Sequence, residues 1–153
     1  MSLRNLVLVN IAVLTLVACS SAGPAGGTPS APSATQTLAP PATRIEIKLT
    51  DALRIDPAAL TVPRGIPVTF VVTNAGSTDH EFFLGDEAAQ LQHEKDMASM
   101  GGMGHDEPNG IAVPAGQTKS LTYTFAKSGQ TLAGCHVSGH YGLGMKATIT
   151  VAA

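Results

Sequence analysis

The chain has 153 residues, with nine basic against eleven acidic side chains and a formal net charge of −2. That length suits one domain plus a tail, and a charged fraction of 13% leaves no basic stripe for a nucleic-acid backbone. Aromatics at 4%, with no Trp, argue equally against base-stacking platforms. Plentiful Gly and Pro favour turns over long helices. Cys19 and Cys135 are too few to make a disulfide scaffold.

Residues 1–18 read as a targeting segment. Arg4 supplies a positive start, and Leu6 to Val17 is an almost unbroken apolar run, too short to span a bilayer comfortably. Leu16-Val17-Ala18-Cys19 then resembles the bacterial lipobox, which implies a lipidated Cys19 and stable anchoring by its acyl chains. An ordinary signal peptide that happens to end in Cys is the alternative. Residues 19–43, the anchor and a run of Pro, Gly, Ser, Ala and Thr, have no hydrophobic periodicity and make a flexible tether.

From Arg44 to residue 153 the period is two, and this stretch is the domain. Ile45, Ile47 and Leu49 alternate with polar residues, as do Val68, Phe70 and Val72. Leu121, Tyr123 and Phe125 repeat the pattern, and so do Ala147, Ile149 and Val151. Each run predicts a strand with one buried and one wet face. Turn signals such as Asp56-Pro57, Asn74-Ala75-Gly76 and Pro114-Ala115-Gly116 separate them. The expected fold is all-β, a β-sandwich. Asp86 to Glu94, rich in Ala, Gln, Glu and Leu, predicts a short surface helix.

The informative segment is Gly134-Cys135-His136-Val137-Ser138-Gly139-His140-Tyr141-Gly142-Leu143-Gly144-Met145. It sets Cys135, His140 and Met145 at C-x4-H-x4-M just ahead of the last strand, where one loop can bring three side chains together. Upstream, His80 closes the turn Asn74 to Asp79 and opens the short strand His80-Glu81-Phe82-Phe83-Leu84. Two His, one Cys and a Met are the ligand list of a mononuclear blue-copper centre, with a trigonal plane and a weak axial thioether. The soft thiolate favours copper, neutral imidazoles accept both its oxidation states, and thioether is a poor zinc ligand. Phe82, Phe83, Tyr141 and Leu143 are candidates for an apolar shell. His136 should point away from the metal, into a hydrogen-bonding or surface role. Five His are too few for a trinuclear cluster wired through a Cys-His pair.

On these residues the domain resembles the cupredoxins, especially single-domain ones with rusticyanin- or sulfocyanin-like loop spacing. Gly139-His140 and Gly144-Met145-Lys146 carry the likeness, with Asp79-His80-Glu81-Phe82 as the first-histidine motif. The resemblance implies a Greek-key sandwich, His140 as the ligand nearest the surface, and no enzymatic activity. It also implies a monomer carrying single electrons between extracytoplasmic redox partners, in the periplasm or on the outer face of the cell membrane.

An insert sets a second reading beside that one. Met97, Met100 and Met103 recur every third residue, flanked by His93 and His105, and the glycines argue against a helix here. The insert resembles the Met- and His-bearing loops of cupredoxins associated with copper tolerance. Either it is a mobile cover near the copper, or it holds a second, weaker Cu(I) site that serves copper buffering or delivery. Asp79, Glu81, Asp86, Glu87, Glu94, Asp96, Asp106 and Glu107 against Lys95 would make this face attract a cationic partner or copper ions. If Cys19 is the anchor, the wild-type chain takes up radiolabelled palmitate in a bacterial host and Cys19→Ala does not; equal labelling removes the anchor.

Overall fold

The computed structural model describes residues 43–153 other than Met103 and Ser138. The targeting segment, Cys19, the tether up to residue 42 and Met103 therefore lie outside the described residues. Within them the chain runs β1 (Thr43–Thr50), β2 (Arg54–Asp56), β3 (Ala59–Pro63), β4 (Pro67–Asn74) and β5 (His80–Gly85). Then follow α1 (Glu87–Ser99), β6 (Gly110–Val113), β7 (Thr118–Thr124), β8 (Gly129–Gly134) and β9 (Lys146–Ala152).

The strands form a β-sandwich. One sheet has the order β2-β1-β4-β7 and the other β3-β9-β8-β5-β6. β1 runs parallel to β4 and β3 parallel to β9, while the remaining pairs are antiparallel. Alternation works as the sequence predicts. Ile47 and Leu49 are buried while Glu46 and Lys48 are exposed, and Ile149 and Val151 are buried while Thr150 is exposed. These faces meet in one core. There Phe70 of β4 lies against Phe82 of β5, with ring centroids 5.4 Å apart, and edge-on to Phe125 at 6.3 Å. Each such side chain, fully buried, contributes about 1.5–3 kcal/mol.

Four strands, β2, β3, β6 and β8, are not visible as alternating runs. They are short, and β8 (Gly129-Gln-Thr-Leu-Ala-Gly134) carries small residues where a strand would normally show branched ones. Its last residue explains why. A Cβ on Gly134 would lie 2.5 Å from Gln90 Oε1 and 2.8 Å from the Tyr141 ring, so only glycine lets helix and ligand loop close on this strand.

The helix corrects two expectations. It begins where predicted, with the Asp86 carboxylate accepting the Ala89 N–H at 2.9 Å as an N-cap. It then continues past Glu94 to Ser99, into the insert. The glycines end this helix rather than prevent it. Gly101 and Gly102 take positive φ (82° and 74°), and the Gly102 N–H donates back to the Met97 carbonyl at 2.7 Å. α1 is also no simple surface helix, because Gln90, His93 and Met97 are buried beneath it. Its inward face is largely polar, which hides it from a search for an apolar stripe. Gly134→Ala should lower stability by about 1–3 kcal/mol through overpacking, read as a fall in the thermal midpoint. An unchanged midpoint would mean that helix and loop do not need this close approach.

Candidate metal centre

The turn before β5 is tied down so that His80 enters the core at a defined place. Asn74, wholly buried, donates through Nδ2 to the carbonyls of Thr78 (2.7 Å) and Val113 (2.9 Å) and accepts the Gly76 N–H (2.9 Å). Asp51 accepts the backbone N–H groups and both hydroxyls of Ser77 and Thr78, at 2.8–3.2 Å. These bonds hold the Asp51 carboxyl far below the usual carboxylate range, led by the Ser77 N–H.

At the other end of the site, the ligand loop is wound on itself. Cys135 N–H donates to the Met145 carbonyl (3.2 Å), Met145 N–H to the His140 carbonyl (3.0 Å), and His140 N–H to the Val137 carbonyl (2.9 Å). The x4 spacings therefore return the chain to its start with all three residues on one spot. β8 leads into this loop and β9 leads out of it, and the two strands pair from Gly134 opposite Lys146 onward.

His80, Cys135 and His140 converge. Their potential ligand atoms all lie within 4.8 Å of one another, with Cys135 Sγ 3.8 Å from His80 Nδ1 and 3.4 Å from His140 Nδ1. Cys135 and Met145 are completely buried, His80 almost so, and His140 is partly open to solvent. Of the predicted ligands, three thus meet as a cluster, and the fourth, Met145, is sealed in the core with its backbone bonded to two of them. The other His80 nitrogen, Nε2, is buried without a hydrogen bond, 3.8 Å from Asp51 Oδ1.

The donor set fits a soft or borderline ion. Burial pushes the Cys135 thiol up to about 11, despite the Glu81 and Val137 N–H groups that favour its thiolate. Burial likewise pushes His80 and His140 below the usual imidazole range, and the neighbouring His140 lowers His80 further. At neutral pH the pocket holds two neutral imidazoles and one thiol. A cation can replace the thiol proton, and a soft sulfur anion prefers copper to harder ions.

Other predicted residues sit elsewhere. Leu143 is 73% exposed and forms no part of an apolar shell. Phe82 belongs to the core, whereas Phe83 and Tyr141 lie behind the ligands, stacked on His93 (3.9 Å) and His136 (4.5 Å). His136 does take a hydrogen-bonding role, but in the interior. Its nitrogens meet Glu94 Oε2 (2.6 Å) and Gln90 Oε1 (2.7 Å). The insert is divided. His93 and Met97 are buried under α1, Met100 is 49% exposed, and His105 pairs with Glu107 at 2.6 Å. His93 and His105 lie side by side, with ring centroids 5.8 Å apart and Glu107 Oε1 3.7 Å from one and 2.6 Å from the other, and Met103 lies outside the described residues.

The acidic face is smaller than the sequence suggests. Glu81 is buried, Glu94 faces His136, and Asp106 is bonded to Lys119 at 2.6 Å. Asp79, Asp86, Glu87 and Asp96 remain exposed. The residues that sequence reasoning missed are Asp51, Asn74, Glu81, Gln90 and Glu94, all polar partners rather than ligands. One signal was available for Glu81, an acid set within an otherwise apolar strand directly after His80.

Residues 42–152 match the family described as copper binding proteins, plastocyanin/azurin family. The chain belongs to this family. The expectation that it binds copper and is not an enzyme follows from that membership.

Over 107 residues it is 36% identical to the copper-resistant cuproprotein CopI of Rubrivivax gelatinosus, covering 70% of this chain and 65% of that one. The CopI of Pseudomonas aeruginosa is 32% identical over 136 residues, covering 70% of this chain and 75% of the relative. The chain thus spans less than two thirds of the Rubrivivax protein's length and three quarters of the Pseudomonas one's. Among solved structures, dithionite-reduced auracyanin of Roseiflexus castenholzii superposes with a TM-score of 0.66 at 24% identity, over 73% of this chain and 98% of the other. Auracyanin A of Chloroflexus aurantiacus gives 0.59 at 24%, over 72% and 98%. Both likenesses establish the fold.

Because the thiol carries its proton until well above neutral pH, metal uptake should release about one proton per ion between about pH 7 and 9. Calorimetry in buffers of differing ionisation enthalpy measures this. No release would mean that the Cys135 sulfur is not a ligand.

Proposed function

We propose that the chain is an extracytoplasmic copper-handling protein, anchored through Cys19, that contributes to copper tolerance. His80, Cys135 and His140 hold the ion and Met145 is the weak axial donor. The convergence of those three side chains, in a chain related to copper-resistant cuproproteins, carries the reading. Bound copper would supply one-electron chemistry between its two oxidation states. The protein's own part is to keep water out, to present a thiol whose proton leaves as the ion arrives, and to hold both imidazoles neutral.

The insert contributes a second, weaker Cu(I) site, formed by Met100, Met103 and His105. His93 and Met97, buried under α1, are assigned to the scaffold in this reading, although the His93 ring lies 5.8 Å from that of His105. This division supports buffering or delivery, with the soft Met100 thioether near the surface and the tighter site inside.

Electron carriage between redox partners is the second reading. It is favoured by His140, partly open to solvent, sharing a short loop with the exposed Leu143, an apolar contact for a partner.

Cys135→Ala should abolish the intense visible thiolate–copper absorption and leave a copper-sensitive host unprotected. Met100→Ala with Met103→Ala should keep the colour while Cu(I) stoichiometry falls from two per chain to one. Wild-type protein that binds a single copper would remove the insert site. Full protection by Cys135→Ala would refute the central one.

A further inference from the structure

The segment that leads from the first ligand is buried on both faces of its strand. In β5, His80 and Phe82 face the sandwich core, and period two sends Glu81 and Phe83 to the opposite face. That face would be wet but for α1, which lies over it. Glu81 is therefore a carboxylate with no exposure, one bond away from a ligand residue.

Its partners are specific. Both carboxylate oxygens lie 3.1 Å from His93 Nε2, and Oε2 also accepts the His136 N–H at 3.3 Å. The Glu81 N–H in turn donates to Cys135 Sγ at 3.3 Å. One residue thus grips the thiol directly and the next peptide of the same loop as well. His93 cannot swing away, since its ring is stacked flat on Phe83 with 1° between planes.

A second brace lies alongside. Gln90 Nε2 is directed at the carbonyls of Phe83, Gly85 and Leu132 (3.2–3.3 Å), which leaves Oε1 to accept from His136 Nε2. Glu94 holds the other His136 nitrogen, and Tyr141 stacks on the ring. A buried carboxylate and two buried imidazoles are costly unless paired. Packing alone would be better served by apolar residues.

We infer that Glu81, held from α1 by His93, is a positioning residue for the Cys135 thiol and so sets the donor geometry and affinity of the metal centre. It rests on the copper reading above. The helical half of the insert is then part of the centre's scaffold, and only its exposed half is left for a separate function.

The test uses the full chain loaded with copper, comparing Glu81→Gln, His93→Phe and a control, Gln92→Ala, an exposed residue of α1 whose side chain bonds Asp96 away from the clamp. Glu81→Gln keeps the backbone N–H but sets an amide NH2 against a donor. His93→Phe keeps the stack on Phe83 and removes the bond. Both should weaken copper affinity by about 10–100-fold and change the relative intensity of the thiolate charge-transfer bands and the copper hyperfine splitting, with the control unchanged. Folded variants with wild-type affinity and spectra overturn the inference, even if their thermal midpoint falls.

Should neither variant fold, hydrogen exchange in the wild-type, metal-free chain decides. The Glu81 and His136 amides should be among the slowest, and fast exchange at either overturns the clamp. Failure of the copper reading would look different, as wild-type protein with no thiolate band at all.

Discussion

The structure depends on one sulfur atom kept away from water. Cys135 stands where β8 runs into the ligand loop, buried in the core, and everything near it is arranged so that a thiol can exist there and an anion can be formed on demand. Burial alone would keep it protonated and inert. Two neutral imidazoles within reach of Sγ, with backbone N–H groups directed at it, make the site receptive to a cation that takes the proton's place.

Two architectures meet at that atom. The sandwich supplies His80 from one strand and the Cys135–Met145 loop from the connection between two others. Their positions are long-range consequences of sheet pairing, because Phe83 of β5 pairs with Gly134 of β8. The helix supplies a polar underside that covers the outer face of the same sheet. Satisfying Glu81, His93 and His136 together leaves little freedom in the backbone on either side of the thiol, and pre-organised ligands need less rearrangement when a metal arrives.

This division also explains the insert. Its methionines and histidines look like one motif in the sequence, but only His93 and Met97 lie on the helix. Residues four apart lie on the same side of a helix, so His93 and Met97 turn inward together. Met100, at the end of the helix, turns outward, and His105 follows in the chain beyond it. Of the cluster's described residues, two have become structural and Met100 is exposed.

Much of the site was legible because its chemistry is rare and its spacing is local. Cys135, His140 and Met145 fall within one loop, and alternation at Ile45–Leu49, Val68–Val72 and Ala147–Val151 is read directly from residue types. The residues that converge at His80, Cys135 and His140, the sandwich class and the start of α1 at Asp86 follow from the sequence by itself. The short strands, the length of α1 and the burial of Glu81, His93 and His136 do not. Those depend on which surface covers which, as with Gly134, whose missing side chain matters only because Gln90 and Tyr141 come from elsewhere to fill the space. A polar residue looks the same in sequence whether it faces solvent or a buried partner. Only tertiary packing, by supplying or withholding that partner, decided which of this chain's acids and imidazoles became interior.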